Sequence, residues 1–424
     1  MNKLKLKLGF IISLTFLSTS HTIAGTSLNT YDLNEPVGWG TVDGSIIGSS
    51  DKNTITVTTA SELISAMSGT AQKTIFVKGK LTFTGQEEVK DVQNKTVYGL
   101  SGSSLCNTTH TSTVDKTGIL MLKNCKNIIL RNLTFKGAGA YDIDGNDNLT
   151  VQNSTYIWVD HCDFQDGVDG NFDCNNGSNY ISVTWCRFRY LIDPWSGGSG
   201  GANDHRYTDL WGGSDKNISV DGGKLNTTFA NCWWDEGCKE RMPRVRFGKI
   251  HIVNCLYSSS VANYCAGGGY RSNLYIENNA YTSTAAKKYP WKNYATESGY
   301  TDYNVTLTNC LGANDIKKCS GSQTYFNPYD HYKYTPYAAS SVESVVTSSN
   351  GAGATLTISE GVGIGLGLTA AIEAVEESNS SESITNTEYF SIDGKKLSEP
   401  QKGINITRIN YSNGKNKIIK EFIK

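Results

Sequence analysis

The sequence is poor in proline, in charged residues and in long apolar runs, and each shortage excludes a class of protein. It has 7 prolines in 424 residues, charged residues make up 19%, and 39 basic side chains nearly balance 40 acidic ones. Disordered chains usually carry more charge, and nucleic-acid-binding domains carry a basic excess. Because 10% of the residues are aromatic, a large core can be buried. We expect a folded protein without nucleic-acid partners, and nothing in the sequence demands more than a monomer.

The N-terminus has the pattern of an export signal. Three lysines within the first seven residues precede the apolar run 8–17, and a small-residue site ends at Ala24. About ten apolar residues are too few for the alternative, a membrane anchor, because a spanning helix needs roughly 20. We therefore predict a signal peptide over residues 1–24, a protein secreted to the medium, periplasm or cell surface, and no membrane span.

One pattern recurs through the middle of the chain: alternating β-branched residues that end on an aromatic residue. The closing aromatics are Phe135, Phe164, Phe188, Trp234, Tyr257 and Tyr281. Three of the five intervals are 23 or 24 residues, the first is 29, and we interpret the 46 residues between Phe188 and Trp234 as two periods. A strand-rich repeat of this length, with Gly and Asn turns, predicts the coils of a right-handed parallel β-helix, an all-β fold.

The cysteines follow the same repeat. Eleven cysteines in an exported chain suggest disulfides, yet four of them lie two residues before a closing aromatic: Cys162, Cys186, Cys232 and Cys255. Equal positions of stacked coils lie about 4.8 Å apart. We therefore predict an internal ladder of buried thiols, continued by Asn279, in preference to disulfides or a metal site. Cys310 and Cys319 remain a candidate disulfide.

Both ends of the predicted β-helix domain, residues 25–368, carry additional elements. The segment Val57–Met67 has Thr and Ser caps before apolar residues at helical spacing and predicts a short N-terminal capping helix. Residues 369–386 have the composition of a linker. Residues 387–424 predict a small C-terminal β module, and Tyr389–Lys396 within it resembles the sorting modules of exported Bacteroidetes proteins. A module that only stabilises the chain is the alternative.

An acidic cluster follows the second coil. Asp169 and Asp173 flank Gly170 at a turn and the strand after it, and Asp147 lies one coil earlier. Carboxylates placed this way can share a hard cation, and glycine permits the tight backbone that this requires. The absence of a Glu closing a twelve-residue loop excludes an EF-hand. An ordinary polar turn is the alternative interpretation.

A basic cluster follows further along the chain. Arg241, Arg244 and Arg246 surround Pro243 immediately before a predicted strand. The planar guanidinium group suits carboxylates, so an arginine cluster beside a cation-binding one indicates a polyanionic ligand. Without its acidic neighbour, the cluster would be interpreted as a solvated edge.

Several motifs occur in a fixed order and resemble a known family. They are Trp158-Val159-Asp160-His161 after Asp147, the Asp-Gly-x-x-Asp pair Asp169 and Asp173, the Arg-x-Pro-x-x-Arg-x-Gly stretch from Arg241 to Gly248, and His251 with Asn254 to Tyr257. This series resembles the family 1 polysaccharide lyases, the pectate lyases, and the likeness runs from about Val57 to Gly365.

The resemblance implies calcium-assisted β-elimination in polygalacturonate, the pectate polysaccharide. It implies that Asp147, Asp169 and Asp173 bind Ca²⁺, that Arg241 takes the C5 proton, and that Arg246 holds a substrate carboxylate. The product would be a 4,5-unsaturated oligogalacturonide. Because arginine ordinarily stays protonated, the implied role of Arg241 points to an alkaline optimum.

The chain departs from the family at one substrate-binding position, and two further residues could be interpreted as catalytic. Where the family usually has a lysine, the glycine-rich insertion 190–213 offers Arg206, which we predict to bind substrate in its place. Asp160 and His161 look catalytic by type, but the family uses them as scaffold. Three alternatives remain. The acidic trio argues against a pectin lyase, and the missing hydrolase signatures argue against a polygalacturonase. The intact arginines argue against a non-catalytic carbohydrate-binding β-helix.

Overall fold

A computed structural model of the chain describes residues 35–51, 54–296, 299–360, 384–391, 395–401, 403–411 and 416–423. The contacts divide the chain into two compact units, Met1–Gly367 and Leu368–Lys424. The predicted signal peptide lies outside the described residues, as does most of the predicted linker.

The first unit is built from three sheets whose strands follow one another in chain order. Sheet 1 contains β1 (Thr54–Val57), β2 (Lys73–Val77), β5 (Gln93–Gly99), β8 (Lys126–Arg131), β11 (Thr155–Asp160), β14 (Asn179–Thr184), β17 (Thr227–Ala230), β20 (Lys249–Val253), β23 (Asn273–Glu277), β26 (Tyr303–Thr308) and β27 (Ile316–Ser320). Sheet 2 contains β4 (Glu87–Lys90), β7 (Leu120–Lys123), β10 (Leu149–Gln152), β13 (Phe172–Asn175), β16 (Leu210–Trp211), β19 (Arg244–Val245), β22 (Ala266–Gly268) and β25 (Trp291–Asn293). Sheet 3 contains β3 (Lys80–Thr82), β6 (Ser104–Cys106), β9 (Thr134–Lys136), β12 (Asp163–Gln165), β15 (Arg187–Arg189), β18 (Trp233–Trp234), β21 (Leu256–Tyr257) and β24 (Ala280–Tyr281).

Each coil of the chain passes from sheet 1 to sheet 3, then to sheet 2, and back to sheet 1 one strand further on. The pairing is parallel, for example between β8 and β11 and between β11 and β14; the last pair of sheet 1, β26 with β27, is antiparallel. A chain that returns to the same three sheets in parallel register is a parallel β-helix. The predicted fold is therefore confirmed.

The closing aromatics form the ladder that the repeat predicts. Phe164 pairs in register with Phe135 and Phe188, and Trp234 with Tyr257, which pairs with Tyr281. Stacked rings in this ladder lie 4.6 to 5.6 Å apart. Phe188 also pairs directly with Trp234, so the interpretation of the 46-residue interval as two periods is wrong. It is one coil enlarged by the insertion 190–213, which leaves sheet 3 and returns to sheet 2.

We expect Phe164→Ala to destabilise the β-helix by about 3–5 kcal/mol, because a fully buried ring would leave a cavity in a stack that cannot close around it. The ring contacts Phe135 at 4.7 Å and Phe188 at 5.2 Å between centroids. Urea unfolding measures the change. Phe164→Leu, which conserves more of the volume, is the control and should cost less than about 1.5 kcal/mol. Equal midpoints for Phe164→Ala and the native protein would contradict a stabilising role for the stack.

The cysteine ladder is also confirmed. Cys162, Cys186, Cys232 and Cys255 are buried and free, and Asn279 continues the row by accepting a hydrogen bond from the Cys255 backbone N–H at 2.6 Å. All eleven cysteines lie in the described ranges and none forms a disulfide.

The candidate disulfide between Cys310 and Cys319 is therefore wrong, and the strand register explains why. Cys319 in β27 lies opposite Asn304, near the start of β26, whereas Cys310 follows the end of β26. The thiols donate instead to separate carbonyls, those of Thr308 and Gln323.

The predicted capping helix is observed as α1 (Ala60–Met67). Thr59 caps it: the Thr59 side chain accepts from Glu62 N–H at 3.2 Å, and the Glu62 carboxylate accepts from Thr59 N–H at 3.1 Å. Leu63 and Met67 are buried against the first coils, so the helix covers the apolar end of the solenoid.

The other helices are short. They are α2 (Ile218–Asp221), α3 (Thr284–Lys288) and α4 (Val342–Val346), with 3₁₀ turns at Gly38–Thr41, Val114–Lys116, Asp215–Asn217, Pro328–Asp330 and Ala339–Ser341. Within the described ranges, no helix combines the length and apolar character needed to cross a membrane.

The second unit contains a separate four-stranded antiparallel sheet. Its strands are β28 (Ile384–Ser391), β29 (Lys396–Leu397), β30 (Gly403–Tyr411) and β31 (Asn416–Ile423). Strand β28 pairs with β29 and β30, and β30 pairs with β31.

Candidate active site

The predicted site residues all belong to one side of the solenoid. In four successive coils they lie on the connection from sheet 3 to sheet 2 or at the sheet 2 strand that follows it: Asp147 before β10, Asp169 and Asp173 around the start of β13, Arg206 before β16, and Arg241 and Arg246 on either side of β19. Because these coils pair in register, residues far apart in sequence become neighbours. The fold thereby brings the acidic cluster near Arg241 of the basic cluster.

Asp147 and Asp173 converge over Gly170. A Cβ atom placed on Gly170 would lie 2.8 Å from Asp147 Oδ1 and 3.2 Å from Asp173 Oδ1, so only glycine leaves room for both carboxylates. Asp147 Oδ2 accepts from Thr150 Oγ1 at 2.9 Å, whereas Asp147 Oδ1 is buried without a hydrogen-bond partner. Asp173 Oδ1 accepts from Leu210 N–H at 2.9 Å. An unpartnered buried carboxylate oxygen beside a second carboxylate is a donor set suited to a hard cation.

The electrostatics of the acidic residues point the same way. Burial, followed by repulsion from Asp173 and Asp169, raises the pKa of Asp147 well above its usual range. Burial and repulsion from Asp169 raise the pKa of Asp173 to about 8. Like charges held together away from water favour either protonation or a bound cation that cancels the repulsion.

Asp169 is held by a histidine. Its Oδ1 lies 2.9 Å from His205 Nε2, and His205 Nδ1 lies 3.2 Å from Asp142 Oδ1. Across the part of the chain that the structure describes, no three His, Cys, Asp or Glu side chains are arranged as a ready-made metal site. The three predicted aspartates lie on adjacent coils. The carboxylates of Asp147 and Asp173 are the two that meet over Gly170.

Asp169 and three arginines line a cleft of about 390 Å³, whereas Asp147 and Asp173 are absent from its lining. Its lining residues are Asp142, Asp144, Asp169, Gly200, His205, Leu210, Gly213, Arg241, Arg244 and Arg246. One wall is acidic and the other carries three guanidinium groups, so the cleft can bind a cation and a polyanion side by side.

Arg241 occupies the centre of the basic wall. Its guanidinium lies over the ring of Tyr207, 4.8 Å from the ring centroid. Burial lowers the pKa of Arg241, but attraction from Asp169 and Asp173 outweighs it, and the net shift is upward. The side chain that the sequence predicts to take a proton is thus held in its charged form by the acidic wall opposite.

Arg246 is fixed more rigidly. Its Nε donates to Asp215 Oδ1 at 2.7 Å and its Nη1 to the Gly212 carbonyl at 2.8 Å. Burial, together with repulsion from Arg244, lowers the pKa of Arg246. These two bonds orient the guanidinium and leave its other N–H groups for a ligand carboxylate.

Arg206 lies in a different environment from the one that substrate binding requires. Its Nε and Nη2 donate to the two carboxylate oxygens of Asp204 at 2.7 and 2.8 Å, and Lys239 Nζ lies 3.2 Å from the same carboxylate. The side chain is absent from the cleft lining given above. Substrate binding by Arg206 stays a prediction, and it would require exchange of the Asp204 pair.

Asp160 and His161 are scaffold residues, as interpreted from the sequence. Both side chains are fully buried. The Asp160 carboxylate pairs with Arg131 Nε and His161 Nδ1, each at 2.7 Å, and accepts from Thr184 Oγ1 at 2.5 Å. The network joins strands of three adjacent coils in sheet 1.

We expect Asp160→Ala to destabilise the β-helix by about 3–5 kcal/mol, because it leaves the buried Arg131 guanidinium without its carboxylate. Burial raises the pKa of Asp160, but His161 and Arg131 lower it further, so the net shift is downward. The stabilisation is therefore present above the usual aspartate pKa, near 3.8, and is lost as the pH falls through the lower folded value. Thermal unfolding between acid and neutral pH measures both effects; the variant should lose this acid-dependent component. A variant as stable as the native protein would contradict the scaffold role.

Three residues that contact predicted site residues or each other were not predicted from the sequence: Asp142, His205 and Asp215. They lie in irregular connections, where no periodicity marks which side chains meet. The one available signal was composition, since the chain has only 6 histidines and one of them lies in the insertion.

Comparison with known families agrees with this geometry. A family model described as pectate lyase matches residues 17–355. The pectate trisaccharide-lyase of Thermotoga maritima is 29% identical over 270 residues, which cover 61% of this chain and 65% of that relative. The chain thus matches slightly less than two thirds of that protein's length. A probable pectate lyase B of Aspergillus terreus is 29% identical over 306 residues, covering 70% of this chain and 82% of that relative.

Solved structures share the fold. A variant of Bacillus subtilis pectate lyase superposes with a TM-score of 0.58 at 22% identity, covering 79% of this chain and all of that one. A pectate lyase bound to a hexasaccharide gives a TM-score of 0.58 at 22% identity, covering 76% of this chain and 97% of that one.

Proposed function

The chain belongs to the pectate lyase family, and from this premise we propose that it cleaves polygalacturonate by β-elimination to give 4,5-unsaturated oligogalacturonides. The observation that carries the proposal is the cleft in which acidic residues face Arg241, Arg244 and Arg246. A polyuronate is a chain of carboxylates, which guanidinium groups bind directly and carboxylates bind only through a cation.

We propose that Asp147, Asp169 and Asp173 hold calcium. The residues fit the ion: they supply oxygen ligands, Asp147 Oδ1 is buried without a partner, and burial together with repulsion from neighbouring aspartates raises the pKa of both Asp147 and Asp173. The chemistry that calcium would supply at these residues is Lewis-acid activation of a substrate carboxylate, which would make the neighbouring C5 proton more acidic.

The arginines take the other roles. Arg246, oriented by Asp215 and Gly212, binds a substrate carboxylate. Arg241 accepts the C5 proton, and the C4–O glycosidic bond breaks as the C4–C5 double bond forms. The upward pKa shift of Arg241 arises from the same carboxylates that we assign to calcium, so neutralising them removes the attraction that keeps the guanidinium charged. High pH favours the proton-accepting form for the same reason.

The remaining assignments extend the proposal beyond the cleft. Arg206 contributes to substrate binding only when a uronate displaces Asp204. Residues 1–24 direct export and are removed by cleavage after Ala24, and the C-terminal sheet acts in sorting to the cell surface. Fusion of residues 369–424 to a carrier protein, with fractionation of the producing cells, tests the sorting role; an unchanged carrier location contradicts it.

The experiment that tests the activity is incubation of the purified protein with polygalacturonate at alkaline pH, with calcium or with a chelator. We expect the ultraviolet absorbance of unsaturated uronide ends to rise with calcium and to stop with the chelator. New reducing ends without that absorbance would indicate hydrolysis and overturn the proposal. A preference for fully methyl-esterified pectin, unaffected by chelation, would favour a pectin lyase.

A further inference from the structure

The insertion between β15 and β16 brings one histidine to the acidic wall. His205 is almost completely buried, with 7% of its side chain exposed, and each ring nitrogen faces a carboxylate: Nε2 faces Asp169 at 2.9 Å and Nδ1 faces Asp142 at 3.2 Å. The Tyr207 ring lies 4.1 Å from the imidazole between centroids. The ring is therefore held by the Nε2 contact to Asp169 and by packing on Tyr207, while Nδ1 is buried beside Asp142 without a hydrogen-bond partner.

The backbone around His205 is anchored to the coil that carries Asp142. Trp195 Nε1 donates to the Ala138 carbonyl at 2.9 Å, and Trp195 N–H donates to the Ala140 carbonyl at 2.8 Å. Asp142 Oδ2 accepts from Ala202 N–H at 2.7 Å. Asp142 thus fixes the backbone of the insertion that presents the imidazole.

Each of the three predicted calcium ligands has one oxygen engaged by a protein donor. The Thr150 hydroxyl donates a hydrogen bond to Asp147, and the Leu210 N–H donates one to Asp173. Across the described residues, His205 is the group that makes this contact to the Asp169 side chain. Asp169 is also the most exposed of the three aspartates, with 21% of its side chain exposed. Its orientation therefore depends most on a single partner.

We propose that His205 is a positioning residue that holds the Asp169 carboxylate in its cation-binding orientation. The inference rests on the proposed function, because it concerns the calcium site assigned there. Partners that orient metal-binding side chains commonly change metal affinity by about 10- to 100-fold when they are removed. His205 lies in the insertion, so this segment contributes to the metal site as well as to the wall of the cleft.

Two matched substitutions separate the contacts of the two ring nitrogens. The amide nitrogen of glutamine can take the place of Nε2, so His205→Gln keeps a donor for Asp169. His205→Asn is shorter, reaches only the place of Nδ1, and loses that donor. His110→Asn is the control, because His110 packs on Trp195 of the same insertion, with 4.0 Å between ring centroids, and belongs to neither proposed set of ligands.

The measurement is calorimetric titration of the full chain with calcium chloride, with thermal unfolding in chelator as the test of folding. We expect His205→Asn to bind calcium about 10- to 100-fold more weakly, while His205→Gln and His110→Asn stay close to the native protein. The calcium concentration for half-maximal lyase activity should shift in parallel, with kcat at saturating calcium largely recovered. A purely structural role would instead lower stability in both His205 variants.

The outcomes distinguish this inference from the proposed function. A native protein that binds no calcium overturns the calcium assignment and the role of His205 together. Native binding that His205→Asn leaves unchanged overturns the role of His205 alone. If His205→Asn fails to fold, Asp142→Ala removes the carboxylate that fixes the insertion at Ala202 and lies beside Nδ1, while the imidazole remains; we expect a weaker loss of calcium affinity, and unchanged affinity overturns the inference.

Discussion

Arg241→Ala is expected to reduce kcat on polygalacturonate by about 10²- to 10⁴-fold, the range typical of losing a general base. The guanidinium lies over Tyr207 and faces Asp169 and Asp173 across the cleft, so its removal takes away the proposed proton acceptor without opening the β-helix core. The rate of formation of unsaturated uronide ends, measured at saturating substrate and calcium, gives the effect. Thermal unfolding should remain close to that of the native protein.

Two further variants make this result interpretable. Arg241→Lys keeps a cation that can lose its proton more easily, so it should retain more activity than Arg241→Ala at alkaline pH. Arg271→Ala removes an arginine outside the cleft lining and should leave turnover unchanged. Near-normal turnover of Arg241→Ala would show that another group accepts the proton.

Asp173→Asn is expected to change calcium affinity and metal-free stability in opposite directions. Calcium affinity should fall by at least about 100-fold, since even residues that only orient a ligand cost 10- to 100-fold. In chelator at neutral pH the variant should unfold at a higher temperature than the native protein. The reason is that burial and Asp169 raise the pKa of Asp173 to about 8, so the folded metal-free chain holds a carboxyl group that the unfolded chain ionises freely.

Calcium titration and thermal unfolding in chelator test these two effects separately. Asp163→Asn is the control: Asp163 lies in sheet 3 and pairs with Arg189, away from the cleft lining, so its loss should not change calcium affinity. A variant of Asp173 with native calcium affinity would remove Asp173 from the metal site. A variant with lower stability in chelator would mean that repulsion among the carboxylates is not the dominant local effect.

The sequence by itself determined the architecture and the chemical type of the site. In-register stacking requires similar side chains at equal positions of successive coils, so Phe135, Phe164 and Phe188 record the repeat directly in the sequence. The same periodicity placed Cys162 and Cys186 in the interior. The aspartate and arginine clusters likewise predict a site for a cation and a polyanion.

Only the tertiary structure decided how the connections are arranged. The interval between Phe188 and Trp234 equals two periods in length but forms one coil, because an insertion that bulges outward adds residues without adding a strand to each sheet. Within that insertion, Arg206 pairs with Asp204, and His205 contacts Asp142 and Asp169. Such contacts depend on where an irregular backbone meets a distant coil. The local sequence pattern does not predict the path of the insertion, because that path is set by long-range contacts such as the hydrogen bond from Trp195 to Ala138.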